Sequence, residues 1–223
     1  MNAPLNILES KIRKAWKDTA TEFSSPPLPK CMFWTEAASL TFPFYSNLTR
    51  QLKLADLWRS VAVVPQYSPA APSRAWCRDD SCSCRKPRAV KQGIHVDLCL
   101  VRLEEIKDAE SHYMWCFNPR PLIAMEFKYP GIIRDGTLDK DIQTLLHMEK
   151  VYGVQRLYLC LGASDYGAIE KVLPSIYEKL AHNPSARKKF RIAVGTLVEN
   201  EWEIVALHAF PWRLEVDVSL LKG

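Results

Sequence analysis

IHVDLCLVRL (94–103) and PLIAMEFKY (121–129) are the two stretches on which the reading of this chain turns. Each has the length and apolar character of a strand, and each carries charge where a buried strand ordinarily has none. Glu126 and Lys128 stand among Leu122, Ile123, Met125, Phe127 and Tyr129, and Asp97 stands among Val96, Leu98, Leu100 and Val101. A buried charge is costly unless it is paired, holds a metal or faces an open cleft. Side chains alternate along a strand, so Glu126 and Lys128 emerge from one face. If the two strands are neighbours in a sheet, Asp97 can share that face. Two carboxylates brought close together do not both ionise cheaply. A hard cation such as Mg²⁺, which takes one or two carboxylates together with phosphate oxygens, removes the conflict.

The tripeptide alone carries no information. At ordinary composition a Glu-x-Lys arises about once in a chain of this length, and a second copy, Glu9-Ser10-Lys11, falls in a helical pattern. What distinguishes Glu126-Phe127-Lys128 is its place: an apolar strand, preceded by a strand with Asp97 and followed by a helix and a further strand. The bland alternative is an internal salt bridge.

Working outward, residues 4–22 read as an amphipathic helix with Leu5, Leu8, Ile12, Trp16 and Ala20 on one stripe. SSPPLPK (24–30) ends it. A second helix is expected over about 36–57, with Pro43 as a break or kink near its start. VAVVPQY (61–67) is a strand, and residues 68–93, with prolines, cysteines and basic groups, are a surface loop or small insertion. Residues 104–120 are polar and then aromatic, a hairpin tip or extended connection. Beyond the Glu126 strand come a helix (137–152), a strand (156–163), a helix (166–182) and strands at 190–198 and 201–210, with Asn200 at the turn between the last two. Arg187, Lys188 and Lys189 read as a polar loop. The order predicts a single α/β domain: a mixed sheet of four or more strands flanked by helices, with residues 1–30 as an N-terminal helical extension.

Composition agrees with a folded domain of this size. The 223 residues are 48% hydrophobic and 25% charged, and 30 Lys and Arg against 25 Asp and Glu give a net charge of +5. That surplus permits a polyanionic partner without requiring one. The first residues contain no apolar run of signal-peptide length, and no stretch approaches the roughly 20 apolar residues that span a bilayer. A cytoplasmic protein with no membrane partner is expected, and its seven cysteines are expected reduced. Cys99, Cys116 and Cys160 lie in apolar runs and read as plain core residues. Trp202 and Trp212 read as packing residues.

The Asp97 strand, the Glu126-Phe127-Lys128 strand and the helix and strand after them resemble the core of the PD-(D/E)xK, or restriction-endonuclease-like, nuclease superfamily. The resemblance covers residues 36–163 and implies an αβββαβ core. It departs from the family's name at the first motif, where His95 and Val96 precede Asp97 and no proline occurs. The resemblance implies that Asp97 and Glu126 hold Mg²⁺ or Mn²⁺ and that Lys128 positions or activates the attacking water. Members often carry an acid on the helix before the first strand; Glu36 is the candidate and Glu9 the second choice. On the helix after the lysine, Lys140, Gln143 and His147 are candidate nucleic-acid contacts, Gln143 and His147 lying one turn apart on one face.

Cys77, Cys82 and Cys84 lie in WCRDDSCSCRKPR, with Cys31 alone upstream. Four thiolates could hold Zn²⁺ or an iron–sulfur cluster, yet C-x4-C-x-C lacks the paired C-x2-C knuckles of a finger or ribbon. Reduced loop cysteines are the alternative. Arg85, Lys86 and Arg88, with Arg74, Arg78, Lys91 and Trp76 around them, have the basic and aromatic character of a nucleic-acid contact; a solvated loop is the alternative.

The expected function is therefore metal-dependent hydrolysis of phosphodiester bonds in DNA, with RNA left open and a homodimer as one arrangement. The competing readings are a catalytically silent nucleic-acid-binding module of the same fold and an α/β adaptor protein.

Overall fold

The computed structural model describes residues 4–24, 40–67, 95–103, 121–128, 137–163, 166–198 and 201–209. Its centre is a six-stranded mixed sheet: β1 (Val61–Tyr67), β2 (Val96–Arg102), β3 (Pro121–Lys128), β4 (Arg156–Ala163), β5 (Phe190–Val198) and β6 (Glu201–Ala209), in that spatial order. β1, β2 and β3 form an antiparallel meander, β3, β4 and β5 run parallel, and β6 returns antiparallel. Parallel neighbours need crossovers, and these are α3 (Thr137–Tyr152) between β3 and β4, and α4 (Tyr166–Ala181) with the short α5 (Pro184–Lys189) between β4 and β5. The N-terminal helices α1 (Leu5–Ser24) and α2 (Phe42–Leu54) complete the described elements. The expected α/β domain with a mixed sheet flanked by helices is what the chain forms, and among the described elements α2 to β4 run in the order αβββαβ.

The sheet separates two cores. Leu8, Ile12, Trp16, Phe44, Leu48 and Leu52 of α1 and α2 bury against Leu98, Leu100, Ile123, Met125, Phe127 and Tyr158. On the other face, Leu138, Ile142, Leu145 and Met148 of α3 and Ile169, Leu173 and Ile176 of α4 bury against Cys99, Ala124, Leu157, Leu159 and Leu161. β3 is sandwiched between them, so seven of its eight residues are buried. It is held from beneath by Phe127, whose ring lies 5.2 Å from Phe44 and 6.3 Å from Trp16. Trp16 donates its indole N–H to the Val194 carbonyl at 3.2 Å and so ties α1 to β5. Between α1 and α2 the buried Asn47 donates to Thr19 Oγ1 at 3.2 Å and Gln51 donates to Asp18 at 2.7 Å, so the polar groups of that seam are bonded.

Two element boundaries depart from expectation. α2 runs from Phe42 to Leu54 rather than to residue 57, and Pro43 sits in its first turn. A proline there sacrifices no helical hydrogen bond, so it starts the helix instead of kinking it. Asp56 then adopts φ 53°, the left-handed region, which reverses the chain into a 3-10 turn at Leu57–Arg59. Arg187, Lys188 and Lys189 are the last turn of α5 rather than a loop. Pro184 presets the first turn, buried Ala186 seats the helix, and Lys189 pairs with Glu149 of α3 at 2.7 Å. Cys99 and Cys160 are buried free thiols, as expected of core residues; burial, reinforced by nearby carboxylates, raises both pKa values and keeps them as inert thiols. Cys116 and Trp212 lie outside the described residues, as do the side chain of Trp202 and the turn at Asn200. Among the described residues no helix is long and apolar enough to cross a membrane.

Candidate active site

β2 and β3 are neighbours, with Leu98 opposite Met125 and Cys99 opposite Ala124. One residue further along the same antiparallel count, Asp97 comes opposite Glu126. Both strands turn these residues toward α3, the face shared by Cys99 and Ala124. The juxtaposition expected of Asp97, Glu126 and Lys128 therefore exists, and all three line one cavity of about 900 Å³. The cavity continues along α3 past Lys140, Asp141, Gln143 and His147 to His182, Asn183 and Ser185 at the α4–α5 turn.

Asp97 is held on both oxygens. The Phe127 backbone N–H donates to Oδ2 at 2.9 Å, and the Gln66 side-chain amide donates to Oδ1 at 3.4 Å. Gln66 reaches it from β1 with φ 49°, a left-handed conformation within a strand. Such a backbone is sparsely populated by residues other than glycine and is found where a side chain must be re-aimed. Lys128 places its ammonium 3.0 Å from Asp141 Oδ2, both side chains being mostly buried.

Glu126 is only 4% exposed. Burial, then repulsion from Asp97 and Asp141, then a hydrogen bond with Asp97, push its carboxyl up to about 10, with Lys128 opposing. In this fold without a cation, Glu126 carries a proton at neutral pH. The donor set fits a hard divalent cation: two adjacent carboxylates whose mutual repulsion is incompletely offset, in an open cleft. Among the described residues no group of three or more His, Cys, Asp or Glu side chains is placed to hold an ion. Such a cation would rest on Asp97 and Glu126, completing its shell with water and substrate oxygens.

Glu9 belongs elsewhere. It lies on the α1 face, where its Oε1 accepts from Arg156 at 2.9 Å and sits 3.3 Å from Arg191. It clamps α1 to β4 and β5 and has no place in the cleft. Glu36, the basic trio Arg85, Lys86 and Arg88, and Cys31, Cys77, Cys82 and Cys84 lie outside the described residues.

Sequence reasoning missed Asp141 and Gln66. Asp141 had a visible signal: it interrupts the inner stripe of α3 between Leu138 and Leu145, beside Ile142, where an apolar residue is the norm. Gln66 had none, because its approach to Asp97 depends on one left-handed backbone angle in β1. No protein-family model, curated protein or solved structure matches the chain.

Proposed function

We propose that this chain is a divalent-metal-dependent nuclease of the PD-(D/E)xK kind, hydrolysing phosphodiester bonds of DNA. The observation that carries the reading is the convergence of Asp97, Glu126 and Lys128 from adjacent strands on one cavity, with Glu126 buried and its charge incompletely offset.

Each residue has a role that its surroundings support. The Phe127 N–H and the Gln66 amide hold the Asp97 carboxyl in place as a ligand. Glu126 supplies the second carboxylate and gives up its proton when it does so. A Mg²⁺ or Mn²⁺ ion held by these two residues would polarise the scissile phosphate and lower the pKa of a bound water. Lys128 directs a full positive charge into the same cleft, where it orients the attacking water or stabilises charge developing on the phosphoryl oxygens. Gln143, Lys140 and His147 line the wall along which the nucleic-acid strand would lie. Hydrolysis leaving a 5′-phosphate is the outcome that the resemblance implies.

The test is incubation of purified protein with linear duplex, circular and single-stranded DNA, and with RNA, in Mg²⁺ or Mn²⁺. A variant carrying both Glu126→Ala and Lys128→Ala serves as control. Cleavage that needs the metal and falls at least about a hundredfold in the variant supports the reading. Cleavage that survives in the variant refutes the assignment, and a folded protein that cuts none of these substrates points to a silent binding module.

A further inference from the structure

Asp141 is the acid closest to the Asp97–Glu126 pair that the nuclease reading leaves without a task, the other, Glu149, being paired with Lys189 further along α3. It projects from the first turns of α3, pairs with Lys128 at 3.0 Å, and lines the same cavity as Asp97 and Glu126. A carboxylate in that position is a puzzle. It sets a third carboxyl group beside the Asp97–Glu126 pair, whose members already disfavour each other's ionisation, and it draws the Lys128 ammonium to itself. Lys128 shares a strand face with Glu126, two residues away, and its stem is long enough to let the ammonium approach that carboxylate. An ammonium resting on Glu126 would compensate the charge that the carboxylate takes on when it ionises and would occupy the space that a cation needs. Asp141 offers the ammonium a second carboxylate on the helix side of the cleft, and the 3.0 Å pair shows where the ammonium resides. Consistent with this, Lys128 is the weakest of the influences on Glu126, outweighed by burial and by the two neighbouring acids.

We propose that Asp141 is a positioning residue: by pairing with Lys128 it keeps the ammonium off Glu126 and so leaves the Asp97–Glu126 pair open to a divalent cation. This rests on the metal-dependent reading above and adds to it a residue that acts through another. It also specifies how Asp141 differs from a third metal ligand. A ligand contributes to cation affinity whatever stands at position 128, whereas a positioning residue contributes only while the lysine is present.

A double-mutant cycle read by Mn²⁺ affinity separates the two. Titration calorimetry would be run on the full chain as wild type, Asp141→Asn, Lys128→Met, and the two substitutions combined. The expected result is affinity about tenfold weaker in Asp141→Asn, because the released ammonium competes for Glu126. Affinity in Lys128→Met and in the double variant should be at least that of wild type. Asp141→Glu, which keeps the charge and guards against a folding defect in the asparagine variant, should bind within a few-fold of wild type. The ¹⁵N-detected ammonium signal of Lys128 should be slowed in solvent exchange in wild type and in Asp141→Glu, and lost in Asp141→Asn. If Mn²⁺ binding weakens as much in the double variant as in Asp141→Asn, Asp141 is a ligand and the proposal falls. Unchanged affinity in a folded Asp141→Asn protein overturns it too. A wild-type protein that binds no Mn²⁺ refutes the metal-dependent reading itself, an outcome distinct from the absence of coupling in a protein that does bind it.

Discussion

The chain contains Glu-x-Lys at two described places, one on each side of the sheet, and they have opposite fates. Glu9 on α1 lies between two guanidiniums, those of Arg156 and Arg191, with the Tyr158 hydroxyl 3.5 Å away. Glu126 on β3 lies between two acids, and its nearest lysine is engaged by Asp141. The first carboxylate is compensated by guanidiniums; the second, among acids, has its pKa pushed up to about 10 instead. The three-residue pattern is the same, so the difference comes from the neighbours that other elements bring. A buried carboxylate surrounded by acids is a poor structural device and a good cation site.

That contrast is sharpest in activity. Glu126→Gln should reduce metal-dependent cleavage by at least about a hundredfold, while Glu9→Gln should leave the rate per folded molecule within a factor of a few. A stopped assay on quantified folded protein would show it, and equal losses in both variants would erase the distinction.

Stability against pH is the next largest effect. Glu126 has a folded pKa of about 10 against an ordinary value of 4.5, so between those limits the folded state holds a proton that the unfolded chain has released. Its stabilising contribution is therefore complete below pH 4.5 and is lost as pH rises toward 10. In the absence of divalent metal this group should subtract up to roughly 1.4 kcal/mol per pH unit across that window. Urea unfolding in chelator from pH 5 to 9 should show a fall that Glu126→Gln largely removes. Saturating Mn²⁺, which favours the ionised carboxylate, should restore wild-type stability at the alkaline end.

On the opposite face the same Glu-to-Gln substitution destabilises. Glu9→Gln leaves two guanidiniums facing each other and should cost about 1–3 kcal/mol at neutral pH, the range reduced because both partners retain some solvent contact. The smallest effect concerns the tie that docks α1. Trp16→Phe keeps the ring against Phe44 and Phe127 but removes the bond to the Val194 carbonyl, and should cost about 1 kcal/mol with cleavage unchanged. A large loss of cleavage in that variant would mean that the α1 face supports the cleft more directly than its packing indicates.

Much of the architecture was legible because periodicity and punctuation are local. The strands at 61–67, 121–128 and 156–163 and the helices at 137–152 and 166–181 follow from apolar spacing, and each stands within a residue or two of where that spacing puts it. The misread role of Pro43 and the missed α5 follow from proline chemistry, where Pro43 and Pro184 begin helices that composition alone reads as interrupted or absent. Asp97, Glu126 and Lys128 stood out because charge in an apolar strand contradicts its surroundings. Glu9 was ambiguous for a related reason. Its partners, Arg156 and Arg191, lie about 150 and 180 residues further along the chain, beyond the reach of any local pattern.

By itself, then, the sequence determined which residues carry charge into apolar strands, and that the chain alternates helix and strand as an α/β domain does. Only the tertiary structure decided which of those charges are neutralised. Whether a buried carboxylate meets a guanidinium or another acid is set by strand order, register and the docking of helices distant in sequence. Glu9 meets arginines because α1 crosses the β4 and β5 strands, and Glu126 meets Asp97 and Asp141 because β2 and α3 border β3. Those juxtapositions arise from burying apolar area on both faces of one sheet, a global requirement that no three-residue motif contains.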